Sequence, residues 1–370
     1  MDSFGQRARA AVSPLADNEA PRDRKPSWGW IAQPPRGGWR YNRSRNELRA
    51  QTKAALRRVV LLEGNGMRIG YMVGEGTGAE PDVAALLARG RRIEAAGLDT
   101  AWVAEIFLDA ATAAAALGMV TDRIEIGTGV IPTPMRHPYA LAHQALTTQQ
   151  ACGGRFTLGI GLSHKVMVES VLGMSYDRPL RKMREYLEVL NPMLRGEAVD
   201  HAGEIYTARF GPMSLGAPVS VLVAALGPQM LRLAGRLAGG TVTWAAGVKT
   251  LEGHIGPTIR QAAKEAGRPD PRIVAGLPVV VTSDVDAARE AAVAIFGHYR
   301  GLPSYRAMMD REGVDGIEDL MVAGDEAAVR EQLTRVADSG ATDLCVFPFE
   351  VDEGSVDRTI DLLGDIAQTS

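Results

Sequence analysis

Two cysteines in 370 residues leave nothing from which to build a disulfide framework. Cys152 and Cys345 lie inside apolar segments without metal-site spacing. They read as buried thiols of a protein working in a reducing, cytoplasmic compartment. No His/Cys/Asp/Glu cluster has zinc-like spacing, so no metal is expected. No apolar run approaches the roughly 18 residues a membrane span needs, and the N-terminal region lacks an apolar signal core, so neither a membrane nor a secretory route is expected. Lysine is scarce: six against 35 arginines. With abundant Ala and Gly, this points to GC-rich codons.

What is present divides in two. Residues 1–60 hold 13 Lys/Arg against 5 Asp/Glu, while the remainder holds 28 against 39. The net charge of −3 therefore averages a basic arm with an acidic body. Residues 1–66 show no regular periodicity. In "SWGWIAQPPRGGWRYNRSRN", Trp28, Trp30, Trp39 and Tyr41 alternate with arginines and prolines. Such a segment can grip nucleic acid, but it reads more simply as a disordered extension or as sequence that is not translated. Leu62–Glu63–Gly64 is encodable by a ribosome-binding sequence ahead of Met67, which makes Met67 the expected natural start. No nucleic-acid partner is expected.

From Met67 onward, short apolar runs alternate with amphipathic helical stretches. Strands are predicted at Arg68–Val73, Thr100–Ala104, Ile124–Gly129, Phe156–Ile160, Val219–Ala224, Gly240–Trp244, Ile273–Thr282 and Asp343–Pro348. Several are apolar almost throughout, as strands covered on both faces of a parallel sheet are. Eight strand–helix units predict an α/β fold, a (β/α)8 TIM barrel, filling residues 67–370 as one domain. Gly196–Pro218 and His298–Gly324 are too long for plain links; the first reads as a hairpin insertion. A doubly wound open sheet is the alternative. It would want a phosphate fingerprint after the first strand, and "GEGTG" (Gly74–Gly78) does not fit one.

In a barrel, functional residues sit at the C-terminal ends of the strands. Those ends carry Glu105, then "GVIPTPMRHP" with Arg136 and His137, then Ser163 and His164, then "AALGPQM" (Ala224–Met230), then Trp244. Singly, each has a plainer role: Glu105 as a helix-dipole charge, Ser163 as an N-cap, His137 as a cap or packing residue. Together, at five successive strand ends, they favour a shared pocket. Gly227–Pro228 entering a helix leaves backbone N–H groups free for a phosphate.

The ordered set "DTAWVAE", "IEIGTGVIPTPMRHP", "RFTLGIGLSH", "VLVAALGPQMLRLAGRLAGGTVTW" and "GDEAAVREQLTRVADSGATDLCVF" resembles the bacterial luciferase-like superfamily, and within it the branch that uses the deazaflavin coenzyme F420. The resemblance spans nearly all of residues 67–370 and none of 1–66. It implies a non-prolyl cis peptide at Gly129–Val130 backing the deazaflavin ring. It further implies that Glu105 hydrogen-bonds the ring, and that Ser163 and the segment Ala225, Leu226 and Gly227 hold the cofactor phosphate. One departure matters: members that oxidise a sugar phosphate carry His where this chain has Ile106 and Glu where it has His164. That turns the expectation from alcohol oxidation to reduction of an activated double bond or imine in a small-molecule substrate. His164 is then the proton donor and Glu105 the second catalytic candidate. A homodimer is expected. An FMN-dependent monooxygenase on the same fold is the alternative, and a non-enzymatic binding protein a third reading.

Overall fold

The computed structural model describes residues 66–74, 82–212 and 216–369; the expectations for the basic N-terminal arm, and for "GEGTG" beyond Gly74, fall outside them. Eight parallel strands form the central sheet: β1 (Arg68–Val73), β2 (Thr100–Val103), β3 (Glu125–Thr128), β4 (Phe156–Gly161), β5 (Ser220–Ala224), β6 (Gly240–Trp244), β7 (Arg272–Val281) and β8 (Asp343–Phe347). Each pairs with the next, and β8 returns to β1 with Arg68 opposite Asp343 and Tyr71 opposite Val346. The sheet is therefore a closed (β/α)8 barrel, which excludes the open doubly wound alternative.

The apolar runs are continuous because each strand is buried on both faces. Outward side chains such as Ile69, Tyr71 and Val73 of β1 meet the helices. Inward ones, Met72, Trp102, Ala104, Leu222, Val274 and Cys345, fill the lumen. Trp102 is fully buried there. A Cβ on Gly70 would stand 2.4 Å from its Nε1, and one on Gly127 would stand 2.4 Å from its Cε3, so the two glycines make room for the indole. Both cysteines are free and buried.

The helices start on sequence-legible caps. Asp82, Asp109, Asp284 and Asp325 each accept first-turn amides, preceding helices Val83–Ala95, Ala110–Met119, Val285–Phe296 and Glu326–Asp338. The hairpin expected in Gly196–Pro218 is present as Val199–Ala202 against Thr207–Phe210. The long insertion after β7 folds into a 3-10 turn, Gly297–Gly301, helix Pro303–Glu312, and a short strand Val322–Gly324 beside the end of β7. That three-residue strand, and the wider π-type turns at Met167–Val171 and Leu251–Ile255, lie outside the predicted set. They are too short to leave a periodic signal. Among the described residues, no helix is long and apolar enough to cross a membrane.

Candidate active site

The barrel brings Glu105, the loop after β3, Ser163, His164, the loop after β5 and Trp244 to its C-terminal end. The loop after β3 is the most constrained of these. The Gly129–Val130 peptide bond is cis, as the resemblance implies. The loop is held on both sides. Gly129 N–H donates to Val103 O (2.8 Å), while Ile131 and Pro132 pair with Ile160 and Gly161 of β4. Thr128 Oγ1 donates to Gly159 O (2.9 Å) and accepts from Gly159 N–H (2.8 Å). This close approach needs Gly159, since a Cβ there would stand 2.0 Å from Thr128 O. A Cβ on Gly129 would point into the lumen, 3.2 Å from Met72 Cε.

Arg136, further along the same loop, was visible in the sequence without a role. Its Nη1 meets Glu105 Oε1 at 2.5 Å and its Nη2 meets Asp109 Oδ2 at 2.5 Å, tying the β3 loop to the β2 loop. The second oxygen of Glu105, Oε2, is buried without a hydrogen-bond partner. Burial raises the Glu105 pKa above the ordinary value, and the Arg136 contacts only partly oppose it. Neighbouring Ile106 is 59% exposed and projects from this loop. His137 caps helix Pro138–Ala151, its Nδ1 accepting Tyr139 N–H at 3.2 Å, which is the plain structural role.

After β4, Ser163 adopts a left-handed backbone (φ 61°), and after β6 Ala245 does the same (φ 51°). Non-glycine residues held there mark sites whose surroundings over-determine them. His164 is half-buried. Its ring lies 5.7 Å from that of Tyr305 and 6.2 Å from that of Tyr299, both supplied by the insertion after β7. Burial, reinforced by nearby His298, lowers the His164 pKa below its ordinary value. These insertion aromatics were missed in the sequence. The signal that could have found them is "HYRGLPSYR" (298–306), whose tyrosines are dense for a loop.

The loop after β5 leads into helix Pro228–Leu237. Its N-cap, Gly227, offers no side-chain cap, and a Cβ there would meet open space. His254 Nε2 lies 2.8 Å from Leu226 O and holds the loop, while Ala225 is buried and can contribute backbone only. An exposed, uncapped helix start suits an anion. Among the described residues, no group of three His, Cys, Asp or Glu could hold a metal ion. The mouth thus offers one unpartnered carboxylate oxygen, one half-buried imidazole, an uncapped helix start and a glycine-floored wall. These fit a planar, phosphate-bearing cofactor.

Known proteins share this chain's family signature and its fold. The family model described as luciferase-like monooxygenase matches residues 62–343. A putative coenzyme F420-dependent oxidoreductase of Mycobacterium tuberculosis is 31% identical over 301 residues, covering 71% of this chain and 84% of the relative. The 5,10-methylenetetrahydromethanopterin reductase of Archaeoglobus fulgidus is 28% identical over 286 residues, covering 74% and 83%. Among solved structures, the coenzyme F420-dependent tetrahydromethanopterin reductase of Methanopyrus kandleri superposes with a TM-score of 0.68 at 21% identity, over 81% of this chain and 97% of that one. At that identity the superposition speaks for the fold.

Proposed function

The chain belongs to the luciferase-like monooxygenase family, and on that premise we propose that it is a coenzyme F420-dependent oxidoreductase reducing an activated carbon–carbon double bond or an imine in a small organic substrate. The observation that carries the reading is the placement of Glu105, with a buried oxygen that has no hydrogen-bond partner, and the half-buried His164 at one barrel mouth. Bound deazaflavin would supply a two-electron hydride reductant that reacts poorly with oxygen. Glu105 Oε2 would accept a hydrogen bond from its ring. The Gly129–Val130 wall would floor the ring, and the absent side chain of Gly129 leaves that floor flat. Ser163 and the Leu226 and Gly227 amides would hold its phosphate. His164 stands where a substrate anion would need a proton. Ile106, exposed on the β2 loop, offers no imidazole of the kind that members oxidising a sugar phosphate carry, which supports the reductive direction.

The catalytic domain in this reading is residues 67–370, assembled as a cytoplasmic homodimer. The runner-up, an FMN-dependent monooxygenase, is favoured by the description of the matching family model. Titration of the purified protein with F420 and with FMN, followed by fluorescence, separates them. Saturable binding of F420 alone is expected. Binding of FMN alone, with oxygen-dependent consumption of FMNH2, would overturn the proposal.

A further inference from the structure

The helix that opens at Gly227 has a neighbour. Helix Pro179–Leu194, which follows β4, runs beside helix Pro228–Leu237, and Asn191 Nδ2 donates to Leu237 O (2.7 Å), tying the two near their C-terminal ends. Between them lies a cleft of about 330 Å³. Leu180, Leu233 and Leu237 are its buried or half-buried members, and Arg184, Arg232 and Arg236 its exposed ones. Arg236 is already paired, with Glu265 at 3.3 Å. The one acid in the lining, Glu188, lies 3.8 Å from His201 Nδ1. Among the described residues Arg184 and Arg232 make no ion-pair contact, and Arg232 acts on Glu265 only at a distance. Elsewhere on this surface exposed arginines commonly meet a carboxylate, as Arg92, Arg178, Arg195 and Arg289 do.

The cleft starts beside the uncapped helix start. Gln229 lines it and stands two positions past Gly227; Arg232 and Arg236 follow on the same face at helical spacing. From Gln229 to Arg236 the helix rises about 10 Å. A chain leaving an anion bound at the helix start therefore meets positive charge along its way, over leucine surface. A guanidinium fork matches a carboxylate with two parallel N–H···O bonds. A lone phosphate would use the helix start and leave both arginines unspent; a ligand with further carboxylates uses all of them.

We infer that this cleft is a second binding site for the coenzyme, in which Arg184 and Arg232 hold the carboxylates of its acidic tail. This rests on the coenzyme reading above and adds to it a means of choosing the cofactor. Beyond its phosphate, coenzyme F420 carries γ-linked glutamates, each with a free carboxylate. FMN ends at its phosphate and has nothing to place in the cleft. An exposed ion pair is worth little alone. Two pairs offered to a chain already anchored at its phosphate add without a second cost of association.

The test measures binding to the full chain by coenzyme fluorescence, with no turnover required. F420 is compared with its precursor that ends at the phospholactyl group, in about 0.05 M and about 0.5 M salt. F420 should bind about 3- to 10-fold more tightly than the tail-less form at low salt, with the margin shrinking at high salt. Arg184→Ala combined with Arg232→Ala should erase the margin and leave the affinity for the tail-less form as it was. Arg184→Glu combined with Arg232→Glu should invert it. Alanine and glutamate are good helix formers, and far-UV circular dichroism checks that the variants are folded; if they are not, the wild-type margin and its salt dependence decide alone. Equal wild-type affinities, a margin that survives both double variants, or an equal loss for the two forms would each overturn the inference. If F420 binds without a tail margin, the coenzyme reading stands and the tail site falls. If neither form binds, the coenzyme reading falls, and calorimetry with free penta-γ-glutamate decides the cleft: saturable binding lost in the glutamate variant keeps an acidic-chain site, and no binding up to millimolar concentration removes it.

Discussion

At the N-terminal end of the barrel Arg272 bridges two carboxylates, Glu125 (2.8 Å) and Asp343 (2.5 Å); at the C-terminal end Arg136 bridges two others, Glu105 and Asp109. The first pair has a second arginine, Arg68, which reaches Glu125 at 2.5 Å and Asp343 at 3.3 Å. The second pair has none, among the described residues. Two positive charges therefore face two negative at the bottom, and one faces two at the top. The pKa values follow. Burial would raise Glu125, but Arg272 and Arg68 outweigh it and hold it at about 2. Burial raises Glu105, and its single arginine does not reverse the shift. Threonines 100, 157 and 342 complete the lower cluster, whereas an oxygen of Glu105 is left without a partner. The lower end is satisfied and reads as stability; the upper end keeps unmatched polar atoms and reads as function.

The comparison can be broken most forcefully by exchanging the outcomes of two substitutions. Arg272→Ala leaves Glu125 and Asp343 without their main partner. It should destabilise by about 3–5 kcal/mol, read by denaturant unfolding, while coenzyme affinity of the folded protein stays unchanged. His164→Ala should do the opposite. It lowers kcat by about 10²- to 10⁴-fold with coenzyme affinity and Tm little changed. If that variant instead loses coenzyme binding and turns over normally at saturation, His164 is a binding residue and Glu105 becomes the acid to test. Because the His164 pKa is lowered, wild-type kcat should rise as pH falls through a value below the ordinary 6.5.

A smaller effect is expected at the cofactor wall. Gly129→Val places side-chain atoms in the lumen against the mobile end of Met72, which can yield. Coenzyme affinity should fall more than stability; equal binding by the variant would remove the proposed role of this wall.

The pH dependence of the two carboxylates is the most discriminating comparison. A carboxyl lowered by folding stabilises above its ordinary pKa, and that contribution is lost as pH falls toward the folded value. For Glu125 the window runs from about 4.5 down to about 2. A carboxyl raised by folding favours the native state below its ordinary pKa and loses this as pH rises through the folded value. Glu125→Gln should therefore lower Tm at neutral pH, with the deficit shrinking in acid. Glu105→Gln should leave Tm unchanged or higher at neutral pH, with any gain vanishing in acid. Parallel pH–Tm curves for the two variants would erase the distinction between the barrel ends.

Much of this was legible in the chain. The eight strands announce themselves as apolar runs because both faces are buried, and the loop from Gly129 to Pro138 announces itself by glycines and prolines. Arg136 was in plain view, but its partner Glu105 is 31 residues away and its significance is a distance. The aromatic cluster of Trp244, Phe347 and Tyr299 was less legible still. Its members come from β6, β8 and an insertion whose turns are shorter than any periodicity.

By itself the sequence determined the eight strand–helix units and the strand ends at which the chemistry sits, since strand burial and strand–helix alternation are local patterns; the pairing of β8 with β1 decided that the sheet closes. The sequence also determined where the backbone is special, because Gly129, Gly159 and Gly227 act through what a missing side chain permits. Only the tertiary structure decided which end is satisfied. The partners of Arg272 lie 147 and 71 residues away, and those of Arg136 lie 31 and 27 away. Whether a buried carboxylate ends with two arginines or one depends on barrel closure, which brings the starts of β1, β3, β7 and β8 into contact. Ion-pair energy falls off over a few ångströms, so nothing in the linear spacing of these residues could reveal it.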